Sequence, residues 1–356
     1  MNTLRIAVAG AGLIGKRHMQ LIRDNSRTTL CALIDPVPAA RATADAEGVP
    51  LFPSLEEFFA SSVKADGMIL ATPNGLHVSG ALTCLAHRMP ALVEKPVADT
   101  LDAAEALEAA EARCDVPLLV GHHRRHSATL AAVREEIASG RLGRVVSFTG
   151  TALFHKPDSY YEAGPWRTVA GGGPILINLI HEIDAVRYML GEIVAVQAMA
   201  SNAVRGFAVE DTAAVLLHFA SGALGTFMLS DTSAAPRSWE QTSGEDKSYP
   251  AHPEEDCYFI AGTNGSLAVP TMRTWNYDGE RSWWKPFART GLARGTADPM
   301  ARQLDHFCDV IRGQAAPRCT VHDATQSLRV TLAVAQAAAS KGVVMPAIPV
   351  LEHEAA

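Results

Sequence analysis

The chain has 356 residues, 48% hydrophobic and 19% charged, with a formal net charge of −7. That length allows two domains and a sizeable core, and the acidic balance argues against a nucleic-acid binder, whose footprint is basic. Six dispersed cysteines (Cys31, Cys84, Cys114, Cys257, Cys308, Cys319) form no C-x-x-C pair. They read as reduced thiols of a cytoplasmic protein. Met1-Asn2-Thr3 leads straight into an apolar run with no signal peptide between, and no apolar run nears the ~20 residues that span a bilayer.

The first predicted strand, 4–9, is followed by Gly10-Ala11-Gly12-Leu13-Ile14-Gly15 and a helical pattern over 13–25. Strand, G-x-G-x-x-G and helix in that order specify a dinucleotide site. Gly10 permits the tight turn, Gly12 lets the backbone approach a pyrophosphate, and Gly15 lets helix and strand pack closely. The helix N-terminus at Leu13 and Ile14 offers N–H groups to the phosphates. A second strand, 29–34, ends at Asp35. An acid there accepts from a ribose diol and repels a 2′-phosphate, which favours NAD over NADP.

Strands at 67–71, 91–93 and 117–121 and helices at 37–47, 54–60, 75–87 and 100–114 complete a β/α alternation. The strands are short and apolar, as in a doubly wound parallel sheet with helices on both faces, the Rossmann arrangement. Ligands bind such sheets beyond the strand carboxyl ends. The residues there are Thr72, Pro73, Asn74 and His77 after one strand and Glu94-Lys95-Pro96 after the next. Asn74 can cap the next helix, Thr72 and His77 can face the cofactor, and Lys95 can reach the nicotinamide crevice. The bond before Pro96 is a candidate cis peptide. The run Gly121-His122-His123-Arg124-Arg125-His126 has no metal-ligand spacing. Some of its side chains are expected to line the crevice, His123 among them as a substrate contact, and the rest to be exposed.

The division is placed at 1–121 for the dinucleotide-binding domain and 122–356 for a substrate-binding and oligomerisation domain. A linking helix, 127–139, leads to extended runs at 144–154, 193–200, 212–219, 223–230, 256–261 and 265–269, with hairpin signals at Ser221-Gly222 and Asn264-Gly265. This half is α+β, with a large, mostly antiparallel open sheet whose uncovered face suits a homodimer or homotetramer. Between the first two runs, Gly171-Gly172-Gly173-Pro174 opens a helix bearing Asn178, His181 and Asp184 three residues apart on one side. Tyr160 and Arg167 precede it and can position hydroxyls or a carboxylate. Trp275, Trp283 and Trp284 read as interface aromatics. Helices at 297–313 and 322–340 close the chain, and the tail after Pro346 is expected to be loose.

Taken together, Gly10–Gly15, Asp35, Thr72-Pro73-Asn74, Glu94-Lys95-Pro96 and Gly171-Gly172-Gly173 through His181 resemble the Gfo/Idh/MocA oxidoreductase family over nearly the whole length. The resemblance implies NAD(P)-linked chemistry on sugars, polyols and cyclitols, with Lys95 and His181 as catalytic residues. It also implies an aspartate four residues before the histidine, where this chain has Ile177. Glu94 and Lys95 stand with the cofactor contacts.

The expected function is oxidation of a secondary alcohol of a sugar, polyol, cyclitol or sugar acid, or the reverse reduction. His181 is the base and Lys95 stabilises negative charge on the oxygen. Asn178, Arg167, Tyr160, His123 and Asp184 hold substrate, and no metal is expected. Two other readings remain at this point: redox-neutral, NAD-dependent C–O bond cleavage, and a non-catalytic NAD-binding regulator.

Overall fold

The computed structural model describes residues 2–346; the tail beyond Pro346 lies outside the described residues. The chain forms two compact units, one of the residues up to His126 together with Pro299–Leu328, the other of Ser127–Asp298 with the residues from Arg329 on. The expected division after residue 121 differs in one respect: the chain comes back to the first unit near its end. The helix Pro299–Ile311 buries Leu304, Phe307, Cys308 and Val310. Its Phe307 and Ile311 close on Gly67, where a Cβ would collide with them. An apolar stripe shows that a helix is covered, not which core covers it.

In the first unit, strands β1 (Leu4–Ala9), β2 (Thr28–Ile34), β3 (Leu51–Phe52), β4 (Gly67–Leu70), β5 (Ala91–Val93) and β6 (Leu118–Val120) pair in parallel in the order β3-β2-β1-β4-β5-β6. Ile6 to Ala9 and Met68 to Leu70 are buried, as strands sandwiched between helices must be. The order reverses between β1 and β4, so the crevice at their carboxyl ends is the place where this fold takes a ligand. The short β3 escapes sequence reading because two residues carry no periodicity.

The second unit holds a ten-stranded sheet. Its strands are β7 (Val145–His155), β8 (Ile193–Ser201), β9 (Thr212–Phe219), β10 (Leu224–Ser230), β11 (Thr232–Arg237), β12 (Tyr258–Gly262), β13 (Gly265–Val269), β14 (Arg273–Asn276), β15 (Ala288–Gly291) and β16 (Val343–Val344). Their order is β15-β14-β13-β12-β7-β10-β9-β8-β16, with β11 against β7. Pairing is antiparallel except between β10 and β7. Alternation sets the faces. Ala213, Val215, Leu217 and Phe219 of β9 point into a core shared with Phe148, Phe227, Tyr258 and Leu179, while Ala214, Leu216 and His218 point out. The register lines up Gln197, Leu216, Thr226, Thr149 and Phe259 across five strands of the outer face, a row without a charge. Trp283 and Trp284 stand 86% and 82% exposed. Among the described residues no helix is long and apolar enough to cross a membrane.

Candidate functional site

The turn after β1 has the geometry its glycines require. Gly10 sits at φ +101°, and a Cβ there would overlap the Ala71 carbonyl. A Cβ on Gly15 would overlap the Gly10 carbonyl oxygen, so helix Leu13–Asp24 can lie against β1 only without one. Gly12, by contrast, faces open space, with nothing within 4 Å of its would-be Cβ. Leu13 beside it is 91% exposed. An open backbone edge at a helix N-terminus, next to an uncovered leucine, fits a pyrophosphate and its ribose. Asp35 braces the turn: Oδ2 accepts from Ala11 N at 2.7 Å and Oδ1 from Val37 N at 2.8 Å. Each oxygen keeps a lone pair for a ribose hydroxyl. Across the crevice, Thr72 Oγ1 is buried with no hydrogen-bond partner among the described residues, a polar atom that the dinucleotide can satisfy. Pro73 and Asn74 are exposed beside it. Asn74 opens a 3₁₀ turn and contributes its carbonyl to His77 N rather than a side-chain cap.

Two residues expected to contact the cofactor are buried and bonded within the first unit. His77 is buried, with Nδ1 2.7 Å from Pro96 O and Nε2 2.9 Å from Thr72 O, so both ring nitrogens join the two crevice loops to each other. Glu94 is buried too. Its Oε1 lies 2.8 Å from His18 Nε2 and its Oε2 accepts from Lys95 N at 3.2 Å. Burial alone would raise the Glu94 pKa. The hydrogen bond and charge of His18, with Lys95 and His123, outweigh it and hold the carboxyl down at about 2. The clamp fixes the backbone of Lys95, which is half-buried and followed by a cis bond to Pro96. His123 is half-buried and acts electrostatically on Glu94. The rest of its run turns inward rather than out, because Arg124, Arg125 and His126 are each under 5% exposed and Arg125 pairs with Asp323 at 3.2 Å. His18 left no sequence signal, since nothing along the chain links it to a residue 76 positions away.

In the second unit the three glycines answer three constraints. Gly171 and Gly173 have φ of +89° and +82°, and a Cβ on Gly172 would strike the Arg167 backbone. Glu210 Oε1 accepts from Ile175 N at 2.8 Å and so caps the helical segment that begins there. Burial raises the Glu210 pKa, and that hydrogen bond works against the rise. The expected plain helix is interrupted: Ile175–Leu179 is a π-helical turn, and the α-helix runs over Ile180–Leu190. The wider turn alters how Asn178 and His181 stand to each other, so a three-residue spacing no longer gives the usual offset. Both are half-buried, as is Ile177, whereas Asp184 is 1% exposed and lies in the packed side of the helix.

Lys156, not singled out in the sequence, stands over this segment. Its Nζ donates to Asn178 Oδ1 at 2.6 Å and lies 3.8 Å from Asp231 Oδ2. Asp231 also accepts from Tyr161 OH at 2.5 Å and from Arg205 Nε at 3.0 Å. Burial, then the bond to Asp231, raises the Tyr161 pKa and keeps the phenol protonated. Tyr160 carries the Arg167 guanidinium 3.9 Å and the Lys156 ammonium 4.8 Å from its ring centre. Lys156 comes just after β7, while Asp231 joins β10 to β11, so only strand pairing brings them together.

Comparison with known proteins agrees with these two halves. Residues 4–122 match the oxidoreductase family with NAD-binding Rossmann fold, and residues 130–268 match the GFO/IDH/MocA C-terminal domain. The chain is 23% identical over 343 residues to the rhizopine catabolism protein MocA of Rhizobium meliloti, covering 94% of this chain and 95% of that one. It is 31% identical over 210 residues to an inositol 2-dehydrogenase of Arthrobacter sp. (strain FB24), covering 57% and 59%. Its fold resembles the WlbA dehydrogenase from Bordetella pertussis, solved in complex with NADH and UDP-GlcNAcA, with a TM-score of 0.77, 24% identity and coverage of 97% and 99%. With a glycine cradle built for a dinucleotide in one unit and a mostly antiparallel sheet carrying His181 in the other, the chain belongs to the GFO/IDH/MocA family of NAD-binding oxidoreductases.

Proposed function

We propose that this protein is an NAD-dependent dehydrogenase acting on a secondary alcohol of a sugar, polyol, cyclitol or sugar acid, or catalysing the reverse reduction. The observation that carries the reading is the open edge at Gly12, flanked by exposed Leu13 and the partnerless Thr72 Oγ1. Relatives named inositol 2-dehydrogenase and 1,5-anhydro-D-fructose reductase support the substrate class. Bound NAD supplies the hydride acceptor. Gly10, Gly12, Leu13, Ile14 and Gly15 hold its phosphates, Asp35 its ribose diol, and Thr72, Pro73 and Asn74 flank it. His181 takes the hydroxyl proton, a task for the side chain whose ordinary pKa lies nearest neutrality. Lys95 donates to the same oxygen as negative charge develops. Asn178, Arg167 and Tyr160 position the substrate, and His123 lies close to Lys95 through Glu94.

The proposal extends to a homodimer or homotetramer closed through the outer face of the large sheet, supported by its uncharged row and by exposed Leu216, Leu224 and Met228. It extends also to a cytoplasmic location, which suits six cysteines that form no disulfide among the described residues, five of them buried.

The test is a panel of sugars, polyols, cyclitols and sugar acids with NAD and, separately, NADP, read by absorbance of the reduced cofactor. Turnover with NAD is expected, with NADP at least ~10-fold poorer in kcat/KM and the gap narrowed by Asp35→Asn. His181→Ala and Lys95→Ala should each lower kcat by ~10²–10⁴ without loss of NAD binding. Full turnover by both variants would sink the role assignments. NAD binding with no reduced cofactor from any substrate would sink the dehydrogenase reading.

A further inference from the structure

Two cationic side chains, Lys156 and Arg167, stand over the Tyr160 ring in the second unit, and Lys156 reaches Asn178. An ammonium can only donate, so the Asn178 atom 2.6 Å from Lys156 Nζ is its carbonyl oxygen, which leaves the amide NH₂ directed elsewhere. That NH₂ has no hydrogen-bond partner among the described residues. Arg167 lies against Tyr160, the ring that also meets Lys156, and its Nε is buried without a hydrogen-bond partner among the described residues. Its other interactions are a hydrogen bond to Tyr160 O and contact with the Trp166 ring, so no carboxylate among the described residues offsets its charge. The buried acid nearest Lys156 is shared: Asp231 Oδ2 lies 3.8 Å from Lys156 Nζ while its Oδ1 pairs with Arg205, so two cations face one buried carboxylate. Asp231 accepts from Arg205 and Tyr161, Glu210 accepts from Ile175 N, and Asp158 stands 92% exposed beside Arg205. Ile177, next to Asn178, offers no acceptor.

A neutral polyol presents hydroxyls, each needing an acceptor as well as a donor to be satisfied on burial. A carboxylate presents two planar acceptor oxygens and needs donors alone. We propose that Lys156 and Asn178, with Arg167 beside them, form a carboxylate-reading subsite, so that the substrate is a polyhydroxylated acid of the uronic or aldonic type. Lys156 is then a specificity-determining residue. It binds one carboxylate oxygen and at the same time fixes the Asn178 amide so that its NH₂ meets the other. This inference rests on the dehydrogenase reading for the substrate's polyhydroxylated frame, but the subsite can be tested separately by binding.

The experiment uses the full chain with NAD. Glucuronate, galacturonate and gluconate are compared with glucose, galactose, sorbitol and myo-inositol, and with glucose 6-phosphate. Both calorimetric binding and reduced-cofactor formation are measured, in the wild type, Lys156→Met and Lys156→Arg. The expected result is binding of at least one acid, better by about 30-fold than its neutral congener, the size of one charge-assisted hydrogen bond. Lys156→Met should remove that preference chiefly through KM, with the acids losing far more affinity than their neutral congeners, in protein whose circular dichroism spectrum matches the wild type. Lys156→Arg should restore most of the preference. Lys156-dependent acid binding without turnover would support the subsite and overturn the dehydrogenase reading. Turnover of a neutral compound with no binding of the acids, preference for the phosphate, or acid binding unaltered in Lys156→Met would overturn the subsite.

Discussion

His18 Nε2 and Glu94 Oε1 meet at 2.8 Å with both side chains buried, and this pair ties the helix behind the glycine turn to the segment carrying Lys95. Truncating Glu94 leaves the buried His18 ring nitrogen without its partner, and an unsatisfied buried polar group costs ~1–3 kcal/mol. Glu94→Ala should therefore lower Tm by several degrees and reduce kcat as the Lys95 backbone loses its anchor. Glu94→Gln, which keeps the shape and one acceptor, should retain more of both. Unchanged melting and turnover in Glu94→Ala would show that the pair anchors nothing.

Two buried groups set the response to acid. The Glu94 carboxyl is held at about 2 against an ordinary 4.5, so it favours the folded state above pH 4.5 and that contribution fades as pH falls toward 2. His126 is pushed down from 6.5 to about 2, by burial first and then by His306 and Arg318. Its unfolded ring binds a proton below pH 6.5 that the folded ring refuses, so stability also declines with acid there. Urea unfolding between pH 7.5 and 4 should show a free energy that falls steadily below 6.5, with His126→Gln flattening the upper part of the slope. An unchanged slope in that variant counts against the assignment.

The three glycines of the cradle should separate into two kinds. Gly15→Ala forces a methyl group into the Gly10 carbonyl and should destabilise the fold. Gly12→Ala meets nothing in the protein, so its Tm should stay at the wild-type value while NAD affinity falls at least ~10-fold, about 1.4 kcal/mol, as the methyl takes the phosphate's approach. Calorimetry with both variants decides this, and wild-type affinity in Gly12→Ala would place the pyrophosphate elsewhere.

On the outer face of the large sheet, Leu216 and Phe259 are 53% and 40% exposed within one uncharged row. Placing Glu at both positions should dissociate the proposed oligomer, because two desolvated carboxylates per protomer oppose its closure. Sedimentation should then report a monomer with a wild-type circular dichroism spectrum. Oligomers of unaltered mass would move the interface off this face.

Local rules made the first unit legible. Three- to six-residue apolar runs, glycines at fixed offsets and an acid twenty residues on are consequences of backbone sterics and phosphate chemistry, and they survive in any sequence that adopts them. The same holds for Gly171-Gly172-Gly173, where positive φ at the first and third and a backbone clash at the second leave few other residues possible. Lys95 and His181 were visible because each comes after such a local signal. Asn178 was visible as a polar residue on an apolar helix, but its role was not. A hydrogen-bonding amide reads either way until a neighbour fixes it, and the neighbour, Lys156, lies 22 residues away on another element.

Tertiary structure alone decided the rest. It set the His77 ring between the Pro96 and Thr72 carbonyls, paired Glu94 with His18 of the glycine-turn helix, and buried Asp184. It returned Pro299–Leu328 to the first unit and inserted the π turn before His181. Sequence specifies what a residue can bond to and how the adjacent backbone must bend. Which of those bonds are made depends on long-range pairing, and a linear pattern carries no record of it.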